Sequence, residues 1–326
     1  MKKILSAVTL GLLVIGLTGC HTFCCAKPAP KKLLVVTTTA SFRHSSIPTA
    51  EKILAQLAQT SGEFTLDFVE QPPGHPATGF PPKLKADATP AEQKAFNDAE
   101  AAFNEKLKTA LLKLAPDNLK NYDGVIFAST TGDLPIPEPQ GFLDWIKAGH
   151  CFIGIHAASD TFHGWPDFAA MLGGEFTHHG PQVSVECLNQ DPKNPATAAL
   201  GRTWTISQEE IYQFKNYDPA KVHDLLIMDK HPEHKEITGH FPVAWCKVYG
   251  KSRTAPGAHG AALLLQKNLG NPGGRVFYTS LGHREDVWDA DPALKDRKND
   301  PAISRAYQQH VLGGIEWALG LKNSAP

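Results

Sequence analysis

The chain has 326 residues, 42% hydrophobic and 20% charged, with a formal net charge of −1. That length and apolar content suit one large domain or two small ones with a substantial core. The even charge balance removes two partner classes, since no basic surplus points to nucleic acid and no acidic tail points to a basic partner.

The first twenty residues read as a targeting segment. Lys2 and Lys3 precede an apolar run from Ile4 to Leu17, and "LTGC" closes it at 17–20. This pattern predicts a secretory signal over 1–19, and it resembles a bacterial lipoprotein signal, in which Cys20 becomes the lipidated first residue. The run is too short for a plain membrane span. Residues 20–32 form a Pro- and Lys-containing tether. The expected location is therefore exported and membrane-anchored, in the periplasm or at the cell surface. His21 stands where an aspartate associated with inner-membrane retention would be, which favours the outer membrane. Of six cysteines, Cys20, Cys24 and Cys25 lie in the tether. Cys151, Cys187 and Cys246 are widely spaced in apolar segments and read as buried small hydrophobes rather than a disulfide framework.

From residue 33 onward, strands and helices alternate. Leu33–Val36 is a continuous apolar run, the pattern of a buried parallel strand. "SSIPTAEKILAQLAQTSG" predicts a helix with Ser46 as its cap, Pro48 in its first turn and Gly62 at its end. "FTLDFVE" is a second strand, and residues 71–90 a Pro/Gly-rich loop. A helix follows with Phe96, Phe103, Leu107, Leu111 and Leu114 on one face. "YDGVIFAST" is a third strand, "PQGFLDWIKAG" a helix and "CFIGIHA" a fourth strand. Between about 181 and 250, "QVSVECLN", "TWTISQEEIYQF", "HDLLIMDK" and "PVAWCKVYG" read as strands or hairpins at a sheet edge. "AALLLQ" is a further candidate strand. "GRVFYTSLGH" is an apolar strand ending at His283, and "SRAYQQHVLGGIEWALG" is the closing helix. This order predicts a doubly wound α/β sheet, mostly parallel, with helices on both faces.

In such sheets ligands bind at the carboxyl ends of the strands, near the point where strand order reverses. Four predicted strands end in polar or reactive groups there. The first runs into Thr37–Thr39, Arg43 and His44, and the third into Ser129, Thr130, Thr131 and Asp133. The fourth ends at His156, and the late strand at Ser280 and His283. One such histidine is usually a satisfied structural residue; three at equivalent positions point to a site. Helical geometry over "HAASDTFH" would place His156, Asp160 and His163 on one face. With "THHG" at 177–180 and "EEIY" at 209–212, the donors suit zinc or a similar divalent metal. A neutral histidine cluster that binds sugar or performs acid–base work is the other reading. Trp165, Tyr212, Phe214 and Trp288 are aromatic candidates for stacking on a sugar ring, against a default of core packing.

Taken together, "TASFRHSSI", "YDGVIFAST", "GIHAASDTFHGWPDFAAMLGGEFTHH", "EEIYQF", "PVAWCKVYGKSR" and "GRVFYTSLGH" followed by Trp288 resemble the ThuA-like (trehalose utilization) family over roughly 33–320. The resemblance implies a flavodoxin-like fold like that of the class I glutamine amidotransferases. It also implies a role in bacterial sugar use, particularly of oxidised (3-keto) disaccharides. The expected ligand is a small-molecule carbohydrate.

In the amidotransferases a nucleophilic cysteine occupies the turn after a strand; here "GIHAA" places His156 there. Cys151 sits five residues earlier inside the strand, so a thiolate mechanism and glutaminase activity are disfavoured. The resemblance carries over to His44, His156, Asp160, His179, Glu210, Tyr212 and His283. The implied catalytic set is His156, His283, Asp160 and His44. The implied metal set is His156, His179, Glu210 and His283. Arg43, Thr130, Asp133, Trp165 and Tyr212 are the expected substrate contacts. The sequence departs from the family pattern at an apparent insertion of about twenty residues, 251–273, which is either a surface loop or part of the pocket rim. The expected function is an exported, lipid-anchored protein acting on a keto-disaccharide or glycoside, as a lyase, hydrolase or isomerase; the alternative is a carbohydrate-binding lipoprotein without catalysis.

Overall fold

The computed structural model describes residues 29–250 and 273–323. The signal and Cys20, and the candidate strand "AALLLQ" with nearly all of the 251–273 insertion, lie outside the described residues. Among the described residues no helix is long and apolar enough to cross a membrane.

Among the described residues a nine-stranded sheet forms the centre. Its first half is parallel: β1 (Lys31–Val36) pairs with β2 (Phe64–Val69) on one side and β3 (Gly124–Ala128) on the other. β4 (Cys151–Ile155) follows β3, and β11 (Gly274–Thr279) follows β4, again parallel. The chain places β2 on one side of β1 and then crosses to β3 on the other, so the strand order reverses between β1 and β3. The second half is antiparallel, adding β10 (Thr238–Tyr249), β9 (His223–Lys230), β6 (Val183–Asn189) and β7 (Thr203–Glu209) in that spatial order. A separate two-stranded ribbon pairs β5 (Glu175–His179) with β8 (Tyr212–Lys215).

Helices cover both faces. On one, α1 (Ile47–Ser61) and the last helix, α7 (Pro301–Ala318), bury Ile53, Leu54, Tyr307, Val311 and Ile315 against Val35, Ile126, Ile153 and Phe277. On the other, α2 (Pro90–Leu111), α4 (Pro139–Lys147) and α5 (Pro166–Leu172) bury Phe103, Leu107, Phe142 and Phe168 against Val36, Phe127, Phe152 and Tyr278. Two short helices, α3 (Pro116–Leu119) and α6 (Glu285–Trp288), lie in connections. The alternation of Leu33/Val35 to one face and Leu34/Val36 to the other explains why β1 reads as an unbroken apolar run: both of its faces are covered.

Three local expectations differ from what the chain does. Ser46 is not the side-chain cap of α1; its backbone is helical, and its hydroxyl donates instead to the carbonyl of Gly282, 3.3 Å away. Gly62, in the left-handed conformation, does end that helix. "TWTISQEEIYQF" is not one strand: β7 ends at Glu209 in the main sheet, and β8 starts at Tyr212 in the ribbon. "HAASDTFH" does not continue as an α-helix, because a single 3₁₀ turn covers His156–Asp160. His156 therefore faces one environment and the Asp160–His163 pair another.

Candidate functional site

The turn after β4 presents His156 through an unusual backbone. His156 has φ 51, as Ser129 after β3 has φ 53, both in the left-handed region that non-glycine residues seldom occupy. Such a conformation costs about 1–3 kcal/mol and persists only where neighbours hold it. Here Tyr278 holds it: its hydroxyl donates to the His156 carbonyl (2.8 Å) and meets the Ser159 hydroxyl (2.8 Å). The His156 ring is fully buried, and its Nδ1 lies 2.8 Å from the carbonyl oxygen of Ser280. A carbonyl only accepts, so Nδ1 carries the hydrogen and Nε2 is left with its lone pair.

Four polar atoms converge on that Nε2. His44 Nε2, His283 Nδ1 and the Tyr212 hydroxyl each stand 3.2 Å away, and Glu210 Oε2 stands 3.8 Å away. Glu210 Oε2 also lies 3.1 Å from His283 Nδ1, and its Oε1 lies 3.2 Å from His179 Nδ1. His44 arrives from the β1–α1 connection, His283 from the end of β11, and Glu210 from the two-residue step between β7 and β8. Parallel strands that share one carboxyl edge bring the three histidines together across 239 positions of sequence between His44 and His283.

The electrostatics follow from burial. Desolvation holds His156 well below the usual histidine range, with His44 and His283 adding to it. Burial, then His283 and His179, brings His44 down to about 3. Burial also acts to lower His283, but the Glu210 hydrogen bond and charge outweigh it, and its net shift is upward. Near neutrality His44 and His156 are thus neutral, while His283 is the ring on which the site favours a proton. Burial raises the Tyr212 hydroxyl well above its ordinary value, so it stays a donor.

The donor set fits a divalent metal. His44, His156, Glu210 and His283 each offer one ligand atom, all within 4.8 Å of one another. A tetrahedral ion with bonds of about 2.1 Å has ligand–ligand edges of about 3.4 Å; the three separations from His156 and that between Glu210 and His283, 3.1 to 3.8 Å, bracket that value. One lone pair on His156 cannot satisfy three neighbours at 3.2 Å, whereas a cation would take the facing atoms of His44 and His283 together with it. The Nδ1–Ser280 bond also supplies the outer-shell hydrogen bond that orients a ligating imidazole. This grouping differs from the sequence expectation in one member: His44 stands in the cluster, and His179, half exposed, reaches it only through Glu210 Oε1.

The other expected residues are placed as follows. Asp160 bonds His163 Nε2 (2.6 Å), whose Nδ1 faces Glu175 Oε1 (3.0 Å), a carboxylate–imidazole–carboxylate chain beside the cluster but not in it. Arg43 is buried and donates to the Thr37 carbonyl at 2.7 Å. The Thr130 hydroxyl pairs with that of Thr161 at 2.8 Å. Asp133 is exposed, and Trp165 is half-buried against Phe162 and Phe168. Trp288 is core, and Phe214 packs edge-on against Trp245. The three described cysteines are free and buried; burial pushes the Cys151 and Cys187 thiols up to about 12 and Cys246 higher still.

Glu209 enters the sequence reading only within the "EEIY" donors and stands outside the cluster; it is fully buried, with its carboxyl pushed up to about 7 by that burial. The available signal was the doubled acid in "EEIY": on an extended strand, neighbouring residues point to opposite faces, so one of the two had to point inward from the site.

The family model described as ThuA, trehalose utilisation, matches residues 32–318. No curated protein matches the chain. Among solved structures, a ThuA-like protein from Parabacteroides merdae ATCC 43184 is 19% identical with a TM-score of 0.57, covering 91% of this chain and 92% of its own. Another, from Bacteroides uniformis ATCC 8492, is 17% identical with a TM-score of 0.54, covering 90% and 93%. At such identities the likeness is one of fold, consistent with the class I glutamine amidotransferase-like architecture. The family match spans β1 to the end of α7, and with it every residue of the histidine cluster: the chain belongs to the ThuA, trehalose utilisation, family.

Proposed function

We propose that the chain is an exported, lipid-anchored enzyme, tethered through Cys20, that acts on an oxidised (3-keto) disaccharide or glycoside at a metal-dependent site. The observation that carries this reading is the convergence of His44, His156, Glu210 and His283 at the carboxyl edge of the sheet. These four residues would hold a divalent ion such as zinc. When bound, such an ion acts as a Lewis acid toward a carbonyl oxygen.

The chain's own groups supply the rest. A ketone makes the neighbouring sugar C–H removable, and a base must stand beside it. His179 is that base: its Nδ1 faces two acceptors, the Gly180 carbonyl (2.8 Å) and Glu210 Oε1 (3.2 Å), which leaves the lone pair on Nε2. Half exposed, it reaches incoming substrate where the buried rings do not. Proton removal next to the ketone drives isomerisation, in which the proton returns at the neighbouring position, or elimination, in which the glycosidic C–O bond breaks and the departing oxygen takes up the proton to leave as an alcohol.

The test is incubation of the purified, zinc-loaded protein with a panel of 3-keto disaccharides and their unoxidised parents, followed by NMR. Conversion of keto sugars alone, lost in His179→Ala and His156→Asn, is expected. Tight sugar binding with no product from any of them would replace this reading with that of a binding protein.

A further inference from the structure

We infer that Glu209 is a positioning residue that sets His283 in the cluster by clamping the backbone beneath it. The inference rests on the metal-site reading above and assigns a role to a residue outside the ligand set. Glu209 ends β7, paired with Val183. Its Oε1 accepts two hydrogen bonds, from the backbone N–H of Gly282 (3.1 Å) and of His283 (2.8 Å). The next residue, Glu210, takes the opposite face and holds the imidazole of the same His283 at 3.1 Å. One histidine is thus gripped twice from one strand end, by its main chain and by its ring.

The grip is needed because the segment 281–283 has left the sheet, the N–H of Ser280 before it still donating to the Val243 carbonyl of β10 at 2.9 Å. Gly282 has φ 113, beyond the reach of the sheet's hydrogen bonding, and its carbonyl is taken by the Trp288 indole (2.9 Å) and the Ser46 hydroxyl. The two N–H groups have Glu209 as acceptor, and a buried amide without a partner costs about 1–3 kcal/mol. The other oxygen, Oε2, is buried and has no partner among the described residues. The requirement is therefore an oxygen at a fixed reach rather than a charge with two engaged oxygens.

Two conservative variants separate reach from charge. Glu209→Gln keeps an oxygen where Oε1 sits; Glu209→Asp keeps the charge but shortens the side chain by one methylene. In the metal-free full chain, the amides of Gly282 and His283 are expected to remain protected from hydrogen exchange in Glu209→Gln and to lose protection in Glu209→Asp. Zinc affinity is expected to stay near that of the parent in Glu209→Gln and to fall about tenfold or more in Glu209→Asp, as for other changes behind a metal ligand. The visible spectrum of the cobalt-substituted protein should shift in Glu209→Asp alone. Parental zinc affinity and an unchanged cobalt spectrum in Glu209→Asp would overturn the inference, as would equal losses in both variants. Absence of zinc and cobalt binding by the parent chain would instead sink the metal-site reading, with the exchange result still deciding whether Glu209 clamps the segment.

Discussion

His156 and Ser280, the residues immediately after two adjacent parallel strands, are joined by an Nδ1-to-carbonyl hydrogen bond of 2.8 Å. That bond turns a ring into a directed donor of one lone pair. It fixes the tautomer and aims Nε2 at His44, His283 and Glu210, while burial keeps the ring neutral in the range where metals bind.

A first prediction is linkage between zinc and unfolding. Free zinc at about 1,000 times its dissociation constant should raise stability by about 4 kcal/mol. Calorimetric scans with chelator and with zinc measure this. His156→Asn should remove the difference while leaving the chain folded, since asparagine tolerates the left-handed backbone at this position. An equal zinc response in the variant would show that the ion binds elsewhere.

Asp286 anchors the loop that follows His283. Its carboxylate takes hydrogen bonds from Arg284 Nε (2.8 Å), from Asn299 N (2.9 Å) and from Asn299 Nδ2 (3.0 Å), and another from Lys298 N. Although burial pulls the other way, these donors bring it down to about 2. A depressed carboxylate contributes stability that is full above its unfolded value near 3.8 and is lost as pH falls through about 2. The contribution is about 2 kcal/mol. Asp286→Asn should be less stable than the parent at neutral pH, and the gap should close toward pH 2 in urea titrations. A gap that stays constant with pH would refute the assignment.

The Asp160–His163–Glu175 chain ties the turn after β4 to the β5–β8 ribbon. Burial opposes protonation of His163, but the two carboxylates prevail and raise it. Its contribution is therefore full below about 6.5 and is lost as pH rises through the raised value. His163 is half exposed, so the effect is that of a partly solvated pair, about 1 kcal/mol or less. Ribbon amides around Phe176 and Phe214 should exchange faster, beyond the intrinsic base-catalysed rise, as pH passes that value. His163→Gln should abolish the excess; a persisting excess would place its origin elsewhere.

Gly282 combines φ 113 with close neighbours. A Cβ there would lie 2.4 Å from the Tyr307 hydroxyl and 3.1 Å from the Trp288 indole nitrogen. Gly282→Ala should cost about 2 kcal/mol or more and weaken zinc binding, because the His283 main chain must shift. Both are measurable on one sample by denaturant titration and zinc competition. Parental values for both would show the segment to be more yielding than its contacts indicate.

The parallel half of the sheet was legible because strands covered on both faces are written as continuous apolar runs, as in Leu33–Val36 and Cys151–Ile155. The convergence of His44, His156 and His283 was legible for a related reason: residues that follow parallel strands share an edge whatever their separation. The break at Glu210 was not legible. "TWTISQEEIYQF" carries no glycine or proline to mark the place where one strand gives way to the next. Nor could the sequence rank His44 over His179, since that choice depends on how a loop and a ribbon are set against each other, which spacing does not encode.

The passage from β7 to β8 occupies only Glu210 and Ile211, yet Glu209 to Tyr212 supply in consecutive order a backbone anchor, a ligand carboxylate, a core side chain and a hydroxyl beside His156. Four different tasks are thus assigned by nothing more than parity along an extended chain. Removing or adding a single residue here would exchange inside for outside at every one of them, so that the two glutamates would trade places and the isoleucine would face the ligands. This short span should therefore tolerate substitution far better than it tolerates a change of length.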